Sequence, residues 1–395
     1  MEDHMTNKRE FLFVAAIIIS MTFGIRASNN MYMTTVPLLA KYYFDYSEFF
    51  VGAISAAGAT GTLVMSALIN SRLGPKLRRK VFIASSFIYM VIFPVFYISN
   101  RFLIWPVVII AGFVLGAIMP NIITSASLFN DRKTRERILS MYTLTLSISL
   151  VAGPAIESEI LRVYPLTESF LFFSILPISS FAMSFFIKFP EESQKEKKVG
   201  GNIARNSGFV AAILNIMTYN IPFALILTFG GIYAKDAFNA SYSLITLMFS
   251  LFFMTSFASR VMLTIKTPEK LWLLMGLSVL ITSSGLIVLA FSNNIYIFAA
   301  SFMMLGFPHG FTYPLSVISI SRSFQPSERS AANSYFFSVM MLIGAVMPFV
   351  SGIMVDAIGM KTSFLSVIPV ILVLLILLRR EIISMRTSMR SVSVI

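Results

Sequence analysis

The sequence predicts an all-α integral membrane protein, with twelve transmembrane helices arranged as two six-helix bundles. Three observations support this fold class: the composition, the distribution of basic residues and an internal repeat. Hydrophobic residues make up 56% of the 395 positions, the mean hydropathy is +0.80, and only 12% of the residues are charged. Soluble domains carry about 25% charged residues. The composition therefore excludes a soluble globular protein.

Twelve apolar runs are long enough to cross a hydrocarbon core of about 30 Å. They are interpreted as helices because outer-membrane strands would instead show alternating segments of about ten residues. The first run follows a polar segment and lacks a small-residue cleavage site, which predicts a membrane helix and not a removable signal. The predicted spans cover residues 11–43, 46–69, 81–99, 102–129, 138–161, 166–189, 207–234, 242–265, 271–291, 294–321, 330–355 and 362–378.

The basic residues follow this topology. Of the 31 Lys and Arg residues, twenty-five fall on one predicted side and five on the other, while Arg26 lies inside the first span. Cytoplasmic segments are enriched in Lys and Arg. We therefore expect a multi-pass protein of the cell (plasma) membrane with both termini in the cytoplasm.

An internal repeat divides the chain. At a shift of 196 positions, residues 13–22 and 209–218 share seven identities in ten. At a shift of 194 positions, Gly112-x3-Gly116-x3-Pro120 recurs as Gly306-x3-Gly310-x3-Pro314. Parallel repeats of six spans produce two similar bundles related by an axis along the membrane normal. The predicted domains are an N-terminal bundle (1–189), a polar cytoplasmic linker (190–206), a C-terminal bundle (207–379) and a basic cytoplasmic tail (380–395).

Arg26 is the most unusual residue of the first span. It lies near the predicted centre of the bilayer, where an arginine costs about 2.5–3.5 kcal/mol to insert. Asn29 and Asn30 share its helix face at i+3 and i+4. Three roles remain open for Arg26: binding an anionic substrate, a gating or proton-coupled pair with Glu157, and a purely structural contact.

Other polar residues lie at a similar depth in the later spans. His309 and Tyr313 in the tenth span and Asn220 in the seventh are candidate substrate-binding residues, although a packed, hydrogen-bonded histidine explains His309 equally well. Glu157 and Asp356 are candidates for proton coupling or gating. Arg260, near the cytoplasmic end of the eighth span, is predicted to extend its charge toward the headgroups.

The residue inventory argues against an enzyme. There is no Cys, and no Gly-rich phosphate loop, Ser/His/Asp set or two-His metal spacing occurs in the sequence, so neither a cofactor nor a metal is expected. The expected partners are a small-molecule substrate, protons as a candidate coupling ion, and the lipid bilayer. Nucleic acid is not expected, and a monomer is the simplest assembly.

With these features, the chain resembles the major facilitator superfamily over its whole length. Residues 70–80 are similar to that family's loop between its second and third helices, with Arg72, Gly74 and Arg78 as the matching conformational-loop positions. Ser71 replaces the family's Asp, and Ala67 replaces its first Gly. The resemblance implies alternating access around a midplane site lined mainly by spans 1, 4, 7 and 10. Around Arg26, the first span is also similar to the anion:cation symporter group.

The sequence thus favours a secondary active transporter for a small, anionic organic solute, with proton coupling as a candidate driving force. A multidrug or metabolite efflux antiporter is the alternative, since many Met and aromatic residues suit an adaptable pocket. A sensor that keeps the transporter fold without transporting is a third hypothesis.

Overall fold

The computed structural model describes residues 2–129, 131–189, 203–265, 268–325 and 328–392. Within these ranges the secondary structure is helical and contains no strand. Of the predicted linker, residues 190–202 lie outside the described residues, and Ile203–Arg205 forms a short 3-10 turn. The predicted all-helical membrane fold is confirmed.

Thirteen α-helices occupy the described ranges. The N-terminal half contains α1 (Glu2–Tyr42), α2 (Glu48–Leu63), α3 (Pro75–Val95), α4 (Ile104–Ala126), α5 (Arg132–Ile160), α6 (Ser169–Phe173) and α7 (Ile175–Ser184). The C-terminal half contains α8 (Ser207–Phe238), α9 (Tyr242–Ile265), α10 (Leu271–Phe291), α11 (Ile295–Ser323), α12 (Arg329–Ile358) and α13 (Met360–Val392).

The helices correspond one to one with the predicted spans once α6 and α7 are counted together. These two helices are separated only at Ser174, whose backbone also has right-handed helical angles. In the described part of the chain, ten helices are long and apolar enough to cross a membrane. The two exceptions are α3, whose first turns carry four basic residues, and the short α6–α7 pair.

Several helices extend beyond the predicted spans, and local chemistry accounts for the difference. Pro75 opens α3 directly after the extended Gly74, a position where proline loses no hydrogen bond. At the start of α5, the Asp131 carboxylate accepts a hydrogen bond from the Thr134 backbone N–H at 2.8 Å, which caps the helix. At the C-terminus, α13 continues to Val392, so the predicted basic tail is helical over most of its length.

The chain divides into two compact units. The first comprises Met1–Tyr46, Ile54–Gln194 and Ser241–Ser250, and the second comprises Ser47–Ala53, Lys195–Ala240 and Leu251–Ile395. The main division, after Gln194, falls inside the predicted linker. The start of α2 is assigned to the second unit and the start of α9 to the first. The exact domain boundaries predicted from the repeat stay a prediction.

An aromatic cluster forms part of the core of the first unit. Phe96 and Phe170 stack with ring centroids 4.6 Å apart and an interplanar angle of 13°, and Phe93 packs against both rings. All three side chains are fully buried. The cluster joins α6 to the C-terminal end of α3.

The repeated glycine motif places two pairs of helices in close contact. In the first unit, a Cβ on Gly112 of α4 would overlap the carbonyl oxygen of Gly58 of α2. In the second unit, a Cβ on Gly306 of α11 would overlap the carbonyl oxygen of Phe252 of α9. Each pair of contacting residues is separated by the same 54 positions, and Gly116 and Gly310 continue both contacts one turn later. The internal repeat is therefore visible in the packing.

Candidate functional site

Arg26 lies on α1 with its side chain half-buried. One of its terminal nitrogens, Nη2, donates to the hydroxyl oxygen of the buried Tyr142 on α5, 3.4 Å away. Over the described ranges, no carboxylate lies within the 4.0 Å ion-pair distance of this guanidinium. An arginine has five N–H donors, so most of them remain available to another acceptor.

The two neighbouring asparagines differ in their surroundings. Asn30 is only 3% exposed and donates from Nδ2 to the backbone carbonyl of Leu150 on α5 at 3.2 Å. Asn29 is half-buried, and its Nδ2 lies 3.5 Å from the sulfur of Met33. The predicted polar face is therefore divided: Asn30 fastens α1 to α5, while Arg26 and Asn29 remain more accessible.

Glu157 is fully buried on α5. Its Oε1 accepts a hydrogen bond from the Thr35 hydroxyl at 2.5 Å, and its Oε2 has no hydrogen-bond partner. Thr35 is nine residues beyond Arg26, which corresponds to about 13 Å along α1. When residues are counted from the predicted starts of the two spans, Arg26 and Glu157 differ in depth by only about 6 Å. This estimate is too small because such a count cannot include the offset at which two helices pack. In this structure, Arg26 and Glu157 have separate partners.

In the second unit, His309 on α11 lies among aromatic rings. Its Nδ1 is 2.7 Å from the Ser256 hydroxyl of α9. The imidazole centroid lies 4.6 Å from the ring centroid of Phe223 on α8, and 5.3 Å and 5.6 Å from those of Phe252 and Phe253 on α9. A neutral imidazole that accepts from Ser256 keeps its Nε2–H as a donor.

The accessible part of this cluster includes the other predicted residues of the second unit. Asn220 and Phe223 are three residues apart on α8, and Tyr313 follows His309 by one turn on α11. Asn220, Phe223 and His309 are half-buried, and Tyr313 is 42% exposed. The structure thus gathers three helices around His309, and two of them, α8 and α11, contribute polar or aromatic groups with access to their surroundings.

Arg260 is a charged member of this cluster that the sequence analysis assigned to the headgroups. It lies on α9 one turn after Ser256, whose hydroxyl is bonded to His309, and it is half-buried. Its Nε is buried without a hydrogen-bond partner. The prediction that its charge extends toward the headgroups stays a prediction. The sequence feature that could have indicated its position is the glycine motif of α11, because these small residues allow α9 to pack closely against α11.

The remaining predicted residues lie near helix ends. Asp356 is exposed in the last turn of α12. Arg72 is exposed at the end of the 3-10 turn Asn70–Arg72, which a π-helical segment, Val64–Ile69, connects to α2. Gly74 caps α3 and accepts the backbone N–H of Arg78 at 2.8 Å. The Nε of Arg78 is buried without a hydrogen-bond partner. Among the residues described, no group of His, Asp and Glu could hold a metal ion.

Comparison with solved structures shows the same fold in transporters. The POT family transporter PepTSo matches with a TM-score of 0.77 at 9% identity, covering 95% of this chain and 98% of that chain. A mutant of the nucleoside transporter NupG matches at 0.73 and 11% identity, covering 93% and 99%. A bacterial homolog to the human lysosomal transporter Spinster, inward-facing and occupied, matches at 0.71 and 11% identity, covering 96% and 97%.

Identities this low show the fold alone, and among curated proteins no sequence matches the chain significantly. The family is shown by a sequence model of the Major Facilitator Superfamily, which matches residues 15–290 and 208–383. These two segments together cover residues 15–383, which is nearly the whole chain. The protein therefore belongs to the Major Facilitator Superfamily and is a multi-pass membrane protein of the secondary transporter type.

Proposed function

We propose that this protein carries a small organic anion across the membrane by alternating access, with Arg26 as the residue that binds the negative charge. The observation that supports this proposal most directly is the half-buried Arg26 guanidinium, which donates to the Tyr142 hydroxyl and not to a carboxylate. Charged groups at membrane depth usually pair with an opposite charge or face a wet cavity. A transported anion would supply that opposite charge.

The chemistry of arginine favours a carboxylate or a similar planar anion. The guanidinium presents parallel N–H donors that match two oxygens of one carboxylate. Asn29, one turn along α1, adds an amide that can donate to a further polar group of the substrate. Tyr142 would orient the guanidinium by accepting one of its hydrogen bonds while the other donors hold the anion.

Glu157 is our candidate for proton coupling. Its carboxyl group is fully buried, one oxygen accepts from Thr35, and the other has no partner. A buried carboxyl group without a cationic partner is suited to gain and lose a proton during a transport cycle. At a membrane potential of 100 mV each net charge moved contributes about 2.3 kcal/mol, so protons that accompany an anion would favour its uptake.

Transport in proteoliposomes tests the anchor role of Arg26. With an inward proton gradient and a panel of labelled mono- and dicarboxylates, Arg26→Ala is expected to lower uptake about tenfold to a hundredfold, the range for one charge-assisted hydrogen-bonded contact. Arg26→Lys is also expected to be impaired, because an ammonium cannot reproduce the two parallel donors.

Arg162→Ala is the matched control. Arg162 is exposed on the turn after α5, and its recorded ion pair is with the equally exposed Glu159 at 3.1 Å. Such surface pairs contribute little, so uptake should stay normal. Normal anion uptake by Arg26→Ala would remove the anchor role. Extrusion of lipophilic cations without carboxylate uptake would support an exporter. A sensor would transport nothing from the panel.

A further inference from the structure

We propose that Arg260 and His309 form a carboxylate-binding site inside the second unit, and that this site selects organic anions with a flat apolar body. The inference deepens the proposed function, on which it rests for the anionic nature of the ligand. The site consists of Arg260 on α9, His309 and Tyr313 on α11, and Asn220 and Phe223 on α8.

The unfilled donor of Arg260 is the first observation behind this site. Its Nε is withdrawn from solvent and has no acceptor, although the neighbouring Ser256 and His309 are bonded to each other at 2.7 Å. Over the described ranges, no carboxylate lies within the 4.0 Å ion-pair distance of this guanidinium. A buried donor without a partner is costly. Nε itself is out of a ligand's reach, but a ligand carboxylate at the terminal nitrogens of the same guanidinium would supply the missing negative charge, with the imidazole Nε2–H as a second donor.

The aromatic rings beside Arg260 define the second half of the ligand. The rings of Phe223 and His309 lie 4.6 Å apart at 36°, and both side chains are half-buried, so part of each ring remains accessible. Phe223 is held in place by the fully buried Phe252, with centroids 5.8 Å apart at 19°. An accessible ring held by a buried one offers a rigid apolar wall against which a flat ligand can stack.

The internal repeat shows that this chemistry is not required for helix packing. The α2–α4 contact of the first unit reproduces the α9–α11 contact, with Gly112 and Gly306 at equivalent positions. At the same shift of 194 positions, the counterparts of Arg260, His309 and Tyr313 are Ser66, Leu115 and Met119. In the first unit the same close glycine contact forms without a charge or an aromatic ring at these positions. The cationic cluster is specific to the second unit, which favours a binding role.

Site-resolved arginine modification tests the inference. The purified full chain is treated with phenylglyoxal, and the modification rate of each arginine is measured by peptide mass spectrometry. Benzoate is the probe, acetate tests the need for an apolar body, and benzylammonium carries the same ring with the opposite charge. We expect saturating benzoate to slow Arg260 modification about tenfold by mass action, acetate to have a much smaller effect, and benzylammonium to have none.

Variants separate the two halves of the site. His309→Gln and Phe223→Ala should each weaken benzoate protection of Arg260, and Phe223→Ala should leave the small effect of acetate unchanged. Arg380, exposed on α13, is the internal control, and its modification rate should not depend on benzoate. Equal protection by benzoate and benzylammonium would overturn the inference, as would an Arg260 that benzoate does not protect.

The same peptide map reports on Arg26. Protection of Arg260 without protection of Arg26 by any transported anion would contradict the proposed anchor and support the site in the second unit. Protection of Arg26 alone would refute this inference and leave the proposed function standing. The two proposals can therefore fail independently in one experiment.

Discussion

Gly310 of α11 is the residue at which the geometry of the second unit can be tested most directly. A Cβ added there would lie 3.0 Å from the carbonyl carbon of Ser256 and would overlap its oxygen and the Ser259 hydroxyl. Backbone atoms cannot rotate away, so α9 and α11 would have to separate by about 1 Å to regain normal contact distances. We therefore expect Gly310→Ala to destabilise the protein.

The magnitude follows from two opposing effects. Overpacking against backbone costs up to about 3 kcal/mol, and replacing glycine by alanine in a helix recovers up to about 1 kcal/mol. The net loss is about 2 kcal/mol, which corresponds to a melting temperature about 4–8 °C lower for a unit of this size. The same 1 Å separation would stretch the 2.7 Å contact between Ser256 and His309 beyond hydrogen-bond range, so benzoate protection of Arg260 should fall as well.

Thermal unfolding of the purified protein, followed by intrinsic fluorescence, measures the effect. Gly344→Ala on α12 is the matched control because a Cβ there would meet no atom within 4 Å. It should leave the melting temperature unchanged or raise it slightly, since alanine favours the helix. A Gly310→Ala protein as stable as the wild type would refute the reasoning, and so would an equal loss in Gly344→Ala.

Three further predictions concern the first unit. Phe170→Ala removes a fully buried ring stacked on Phe96 at 4.6 Å and should cost about 3 kcal/mol; a melting temperature within error of the wild type would contradict the stacking. Thr35→Val removes the hydroxyl that donates to Glu157 Oε1 and should cost about 1–3 kcal/mol, whereas Thr35→Ser should retain most of the stability. Glu157→Gln should keep anion exchange between the two sides and abolish proton-driven accumulation in proteoliposomes; accumulation at the normal level would exclude Glu157 as the proton carrier.

Much of the fold could be predicted because a membrane protein must satisfy its backbone within each helix. A span therefore appears in the sequence as a single apolar run, and each of the twelve predicted runs corresponds to a helix or to the α6–α7 pair. The exact residues at which the helices begin were less predictable. The N-cap at Asp131 and the proline at the start of α3 extend helices into charged segments that hydropathy treats as loops.

The candidate site was predictable in part. An arginine in an apolar run is conspicuous because its insertion is costly, so Arg26 could be identified without the structure. The different surroundings of Asn29 and Asn30 could not be predicted from the sequence, because the carbonyl of Leu150 that accepts from Asn30 lies 120 residues away in the chain. The proximity of Arg260 to His309 could not be predicted, because it depends on the close packing of α9 against α11.

The sequence by itself determined the membrane class, the twelve spans, the repeat and the presence of an intramembrane arginine, because each of these depends on local composition or on spacing along one helix. Only the tertiary structure decided the partners. It placed Tyr142 beside Arg26 and Thr35 beside Glu157, and it joined His309 to Ser256, which lies one turn from Arg260. The physical reason is that the relative register of two helices depends on how their side chains pack, which residue counting within one helix does not reveal.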